Sequence, residues 1–225
     1  MPDQSPASAA QARRWIGFHV AFAVIAVALL LLPWASFGIR VLLLVIGYNA
    51  GVALVAWRTG DSLVLRWWCV LAPMSVLMVL PDWFLSAELG VLVFPATGSP
   101  FIGTVPLFMA GMWVIALLPV MLVGHFAERA WGVTPALIVV VITGLALFTA
   151  AEWAAPLLPL WFPQNVPLVA GVAPYVLLPE AGLVLATYLL VRGSGTRTGW
   201  ATAAGVVAVP FLYLGMLATS WQFTG

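Results

Sequence analysis

The chain reads as long apolar runs separated by short interruptions rich in Pro, Gly or Arg. Seven runs approach the roughly 20 residues that a helix needs to cross a bilayer. They cover residues 15–32, 37–57, 62–85, 105–125, 134–153, 172–192 and 199–221. The pattern predicts an all-α fold, a bundle of seven transmembrane helices. The first twelve residues, MPDQSPASAAQA, are small and polar and predict a disordered tail, leaving 13–225 as a single transmembrane domain. Arg13 and Arg14 precede the first run in the manner of a leader. That run is too long for one and lacks a clean cleavage motif, so it is expected to be retained as a span.

Two interruptions differ from the rest. Residues 90–104 carry Gly90, Pro95, Gly98 and Pro100, which exclude a regular helix, yet VLVFP and PFIG are too apolar for a free aqueous loop. Residues 155–171 have the same character. Non-helical backbone at membrane depth is tolerated only where protein covers it or where it lines a cavity. Both segments are therefore expected to be lids over one end of the bundle.

Composition sharpens the class. The 225 residues are 64% hydrophobic and 7% charged, with a mean hydropathy of +1.13. A soluble domain is about half apolar and about a quarter charged. All eight basic residues are Arg, a bias that points to a GC-rich bacterial genome and hence to the bacterial cell membrane. Seven of them (Arg13, Arg14, Arg58, Arg66, Arg129, Arg192 and Arg197) share one side if the spans alternate, and only Arg40 lies opposite. The positive-inside rule then predicts a cytoplasmic N-terminus and an outer C-terminus. A net charge of +1 gives no footprint for nucleic acid. The single Cys69 excludes an intrachain disulfide, and two distant histidines make no ligand cluster. There is no phosphate-binding or dinucleotide-binding glycine motif. No metal or cofactor is expected.

The acids carry the candidate chemistry. Asp3 lies in the tail, while Asp61 and Glu128 sit beside Arg58 and Arg129. Asp82 and Glu88 close the third run, and Glu152 closes the fifth. Glu180 lies about 12 Å inside the sixth. These four carboxylates fall on the outer half of the bundle, where the sole cation is Arg40. An ionisable group within a span faces the bundle interior or a water-filled cavity. An unpaired acid there is expected in its neutral form and so becomes a proton donor. Asp82 and Glu88 are six residues apart, about 240° of helical rotation. The chain must turn after Ser86 for both to point inward. Most of the 12 Trp fall at run ends, as a membrane-interface belt does. Trp83 and Trp153 stand beside acids, and Trp113 lies inside the fourth run. With Asn49 in the second run and Tyr175 ahead of Glu180, they are the candidate substrate contacts.

The stretch ELGVLVFPATGSPFIGTVPLFMAGMW resembles the bacterial carotenoid-modifying hydratases of bacterioruberin-type pathways. The likeness rests on Glu88, Gly90, Gly98, Pro100, Phe101, Val105, Pro106 and Trp113, with Glu152 in TAAEW in a similar context. The element LPE at 178–180 is similar to one in the small membrane lycopene cyclases. The resemblance implies a hydrophobic polyisoprenoid substrate whose double bond is protonated by a carboxylic acid. The cation would then be quenched by water, ring closure or proton loss. On this reading Glu180 donates the proton, while Glu88, Glu152 and Asp82 steady the cation or position water. Two further classes remain. VLPDWFL and LLPEAGL share Leu-Pro-acid, a faint repeat of the kind found in proton-coupled transporters. A non-catalytic membrane scaffold is the other.

The orientation is tested by reporter fusions at Gly60, Gly98, Gly132 and Gly225, expected to read inside, outside, inside and outside. A cytoplasmic signal from the last would overturn it.

Overall fold

The computed structural model of the protein describes residues 6–224, and its frame is helical throughout. The helices are α1 (Pro6–Leu31), α2 (Phe37–Arg58), α3 (Ser62–Leu77), α4 (Val79–Trp83), α5 (Met109–Trp131), α6 (Val133–Ala154), α7 (Pro174–Gly193) and α8 (Gly199–Thr224). A π-helical turn, Phe84–Glu88, extends α4, so α3 and α4 together make one crossing, Ser62–Glu88. Among the described residues, seven helices are thus long and apolar enough to cross a membrane, in the order the apolar runs predict.

Local chemistry sets the ends of these elements. Asp61 caps α3, its Oδ1 accepting from the Val64 amide at 3.2 Å, which satisfies one of the amides a helix start leaves open. Gly132, at φ +88°, turns the chain between α5 and α6. Pro174 opens α7, where its missing N–H costs nothing. The α3–α4 break at Leu77 is the work of Pro81, whose ring would clash with the carbonyl four residues back.

Three expectations are corrected. Residues 6–12, expected as part of a disordered tail, are helical, because α1 already runs from Pro6; residues 1–5 lie outside the described part. Asp61 explains the early start. Its Oδ2 accepts from Gln11 Nε2 and Trp15 Nε1, both at 2.9 Å, and Arg14 lies 3.9 Å away. The fourth crossing begins at Met109, four residues later than the apolar run. Val105–Pro106 instead pairs as strand β3 with Phe101–Ile102 (β2), around Gly103 at φ +61°. The third crossing continues helically to Glu88, past the expected turn after Ser86, and the chain turns at Gly90, φ +62°.

Arg40 also takes an unexpected role. It does not face the acids but donates through one nitrogen to the carbonyls of Leu30 and Leu32 at the end of α1, with its guanidinium 5.6 Å from the Phe37 ring. Helix α1 packs chiefly on α2, whereas α3 and α5 are central, α5 touching α2, α3, α6 and α7.

Both lids are ordered and joined. Leu92–Val93 (β1) pairs antiparallel with Phe162–Pro163 (β4), Leu92 opposite Pro163 and Val93 opposite Phe162. The Gln164 amide donates to the Val91 carbonyl at 2.9 Å, and its side chain to the Gly90 carbonyl at 3.0 Å. At the other edge the first lid closes on α2: the Gly38 amide donates to the Thr97 carbonyl at 2.8 Å, and a Cβ at Gly38 would lie 2.6 Å from the Ser99 amide.

This pairing predicts that cysteines at Val93 and Phe162, in a Cys69→Ser background, form an intramolecular disulfide under mild oxidation. Facing antiparallel residues bring Cα atoms to about 4.5–5.5 Å, within disulfide range. A pair that stays reduced while Val93→Cys with Cys at Thr97 behaves identically would show that the lids are not joined.

Candidate functional site

Beneath the joined lids lies a cavity of about 450 Å³, within the range of about 300–1,000 Å³ typical of small-molecule sites. Its roof is Val91, Leu92 and Phe94 of the first lid and Leu160, Trp161 and Pro163 of the second. Its walls come from α4 to α8. Most of the lining is aliphatic or aromatic, and the polar exceptions are Asp82, Glu152, Glu180, Tyr175, Tyr213 and the indole N–H groups of Trp113 and Trp161.

Each acid meets a different environment. Asp82, 4% exposed on α4, accepts from Trp113 Nε1 of α5 through Oδ2 at 3.2 Å. The Trp113 ring is fixed edge-on to Phe148 (5.7 Å) and Tyr213 (5.8 Å), so the indole, the acid and two further rings form one packed wall. Glu152, near the end of α6, accepts from Trp161 Nε1 at 3.0 Å, which ties the second lid to the bundle. Glu180 on α7 is 4% exposed, and its Oε2 is buried without any hydrogen-bond partner. Buried carboxyl oxygens are almost always paired. An orphaned one on an apolar cavity wall marks a place where a ligand or water belongs. Among the described residues, no group of three or more His, Cys, Asp or Glu is arranged to hold a metal ion.

The structure brings together Asp82, Glu152, Glu180, Trp113 and Tyr175, and leaves out the other candidates. Glu88 is exposed and off the cavity, because the helix that carries it never makes the turn needed to swing it onto the Asp82 face. Trp83 is 40% exposed and packs against Gly103. Trp153 is 61% exposed and borders a shallow groove between α6, the second lid and α7. Asn49 is a strut between helices: its amide donates to the carbonyls of Val45 and Gly111, and its oxygen accepts from Trp68 Nε1. A side-chain amide within a bundle is commonly used in this way.

Tyr213, Trp161 and Phe148 were not anticipated. Tyr213 stands alone in an apolar helix, and Trp161 looks like one more interfacial indole; only tertiary contact distinguishes them. Asp82 and Glu180 line one cavity at one end of the bundle.

Fold and site together describe a multi-pass membrane protein with a lidded, acid-bearing apolar cavity at one end of a seven-helix bundle. The chain belongs to the family described as a domain of unknown function (DUF6989), which matches residues 79–224. No curated protein and no solved structure matches the chain. Every residue lining the cavity falls inside the matched segment, whereas α1, α2 and α3 lie outside it.

The contrast between the acids predicts opposite stability effects. Asp82→Leu strands the half-buried Trp113 N–H and is expected to destabilise by about 1–3 kcal/mol. Glu180→Met removes an unpaired buried acid and is expected to stabilise by about 1 kcal/mol. Thermal unfolding in detergent reads both. Equal losses in the two variants would show that Glu180 is held by a network after all.

Proposed function

We propose that the protein is an acid catalyst acting on a polyisoprenoid or terpenoid double bond, of cyclase, hydratase or isomerase type. The observation that carries this reading is the unpartnered Glu180 Oε2 on the wall of an aromatic, lid-covered cavity. Protonating an alkene requires a neutral carboxylic acid, exclusion of bulk water and surfaces that stabilise a carbocation without reacting with it. Glu180, the lids and the rings of Trp113, Phe148 and Tyr213 supply these in turn.

The Glu180 O–H proton passes to one alkene carbon, and the π electrons form the new C–H bond. The other carbon becomes the cation, and Glu180 is left as a carboxylate. A desolvated aromatic face contributes about 2 kcal/mol to holding a cation. Asp82 and Glu152, held by their indole donors, add negative charge or orient a water. Attack by water, attack by a second double bond, or proton loss then ends the reaction. By the arginine distribution, the N-terminus lies in the cytoplasm and the cavity opens into the outer half of a bacterial cell membrane. A lipid-soluble substrate reaches it from the bilayer.

Glu180→Gln keeps the shape and removes the acid. It is expected to lower conversion by a factor of about 10²–10⁴ in cells making candidate isoprenoids. Undiminished conversion would sink the assignment. If no isoprenoid is altered in the wild type, but a proton-coupled flux disappears in Glu180→Gln, the protein is a transporter. Changes in abundance alone would leave it a scaffold.

A further inference from the structure

A catalytic acid used repeatedly must regain its proton, and the lids cover the cavity from above. The route from below is marked by other unpartnered polar atoms. Besides Glu180 Oε2, the buried side-chain atoms without a hydrogen-bond partner include Ser75 Oγ and Thr187 Oγ1, both on residues that are 0% exposed, together with Trp67 Nε1 and His125 Nε2. These residues lie on α3, α5 and α7, with α5 packed against both of the others.

Their spacing is regular. Thr187 is seven residues after Glu180 on α7, and Ser75 is seven residues before Asp82 on the α3–α4 crossing. Seven residues are about two helical turns, so Thr187 shares the face of Glu180 on α7, and both hydroxyls lie about 10 Å further from the lids than their acids. Ser75 and Thr187 do not bond back to their own helix, the usual resort of a buried hydroxyl. Trp67 lies eight residues beyond Ser75, edge-on to the His125 ring at 5.5 Å and 84°. One turn past His125, Glu128 accepts from Tyr188 at 2.6 Å and from Arg192 at 2.8 Å at the exposed, arginine-rich end. Orphaned atoms thus occur at successive depths from the cavity acid toward bulk water. Buried waters bind where such groups occur together, typically making about three hydrogen bonds each.

We propose that α3, α5 and α7 enclose a file of internal waters, held by Ser75, Thr187 and His125, that returns protons from the arginine-rich end of the bundle to Glu180. This rests on Glu180 being the proton donor. When Glu180 gives its proton to carbon, its carboxylate takes one from the nearest water. That water is restored by its neighbour, and so down the file, until one proton is withdrawn from bulk water beyond Glu128. Only O–H and N–H bonds are exchanged, and no electron is transferred.

The test needs no substrate. The full chain in lipid nanodiscs is mixed rapidly with heavy water, and the infrared carbonyl band of the Glu180 acid, identified by its loss in Glu180→Gln, is followed as it exchanges. The Ser75→Ala/Thr187→Val double variant is expected to slow exchange by about tenfold or more, while Thr187→Ser keeps the wild-type rate. Equal rates in wild type and double variant, or slow exchange in Thr187→Ser, would overturn the proposal. A radiolytic measurement guards against misfolding. Trp67, only 2% exposed, is expected to be oxidised by radicals formed at neighbouring water in the wild type and spared in the double variant. No oxidation of Trp67 in the wild type would also overturn it. If exchange follows the proposal but Glu180→Gln leaves isoprenoid conversion intact, the water file stands and the enzymatic reading falls.

Discussion

In hydrocarbon, a backbone amide that leaves a helix must find another partner within the protein. This chain leaves its helices twice at the same end, between α4 and α5 and between α6 and α7, and the two departures satisfy each other. The short β1–β4 pairing and the Gln164 contacts make a roof from segments that could not lie in lipid singly. Much else depends on that roof. It places Trp161 over Glu152, sets Val91, Leu92 and Phe94 above the three acids, and turns a gap between helix ends into a covered cavity.

Within that space, the same chemical group is used in two ways. Asp82 and Glu152 are fixed by indole donors that also belong to the packing, so each contributes to holding the protein together. Glu180 is buried as deeply as Asp82 yet has an oxygen that nothing answers. Burying an unanswered polar group costs stability, and natural proteins tend to carry such costs where function requires them.

The crossings were legible because membrane thickness imposes a length and lipid imposes an apolar composition, both visible along one dimension. The lids were legible for a related reason: Pro95, Gly98 and Pro100 forbid a helix while Val91, Leu92 and Phe94 demand cover. Side-chain direction was harder to read. The sequence brings Glu88 to the cavity only if the chain turns after Ser86, and the π-helical continuation of α4 replaces that turn. Asn49 and Trp153 looked like site residues because polarity or an adjacent acid drew attention, but helix rotation sends one to a strut and the other to the surface. Tyr213 entered the site because α8 packs against α3, α4 and α7, a pairing that no local pattern encodes. The early start of α1 depended on Asp61, roughly fifty residues away in sequence.

The roof also has a consequence for synthesis. Strand β1 reaches its partner β4 only after about seventy further residues have been made. At roughly 5–20 residues per second, the nascent chain spends several seconds with the first apolar segment unpaired at the membrane surface. Glu180 and Tyr213 emerge later still. During that interval the insertion machinery or the headgroup layer must shelter residues 90–104, and the cavity is assembled last, as the final two helices arrive.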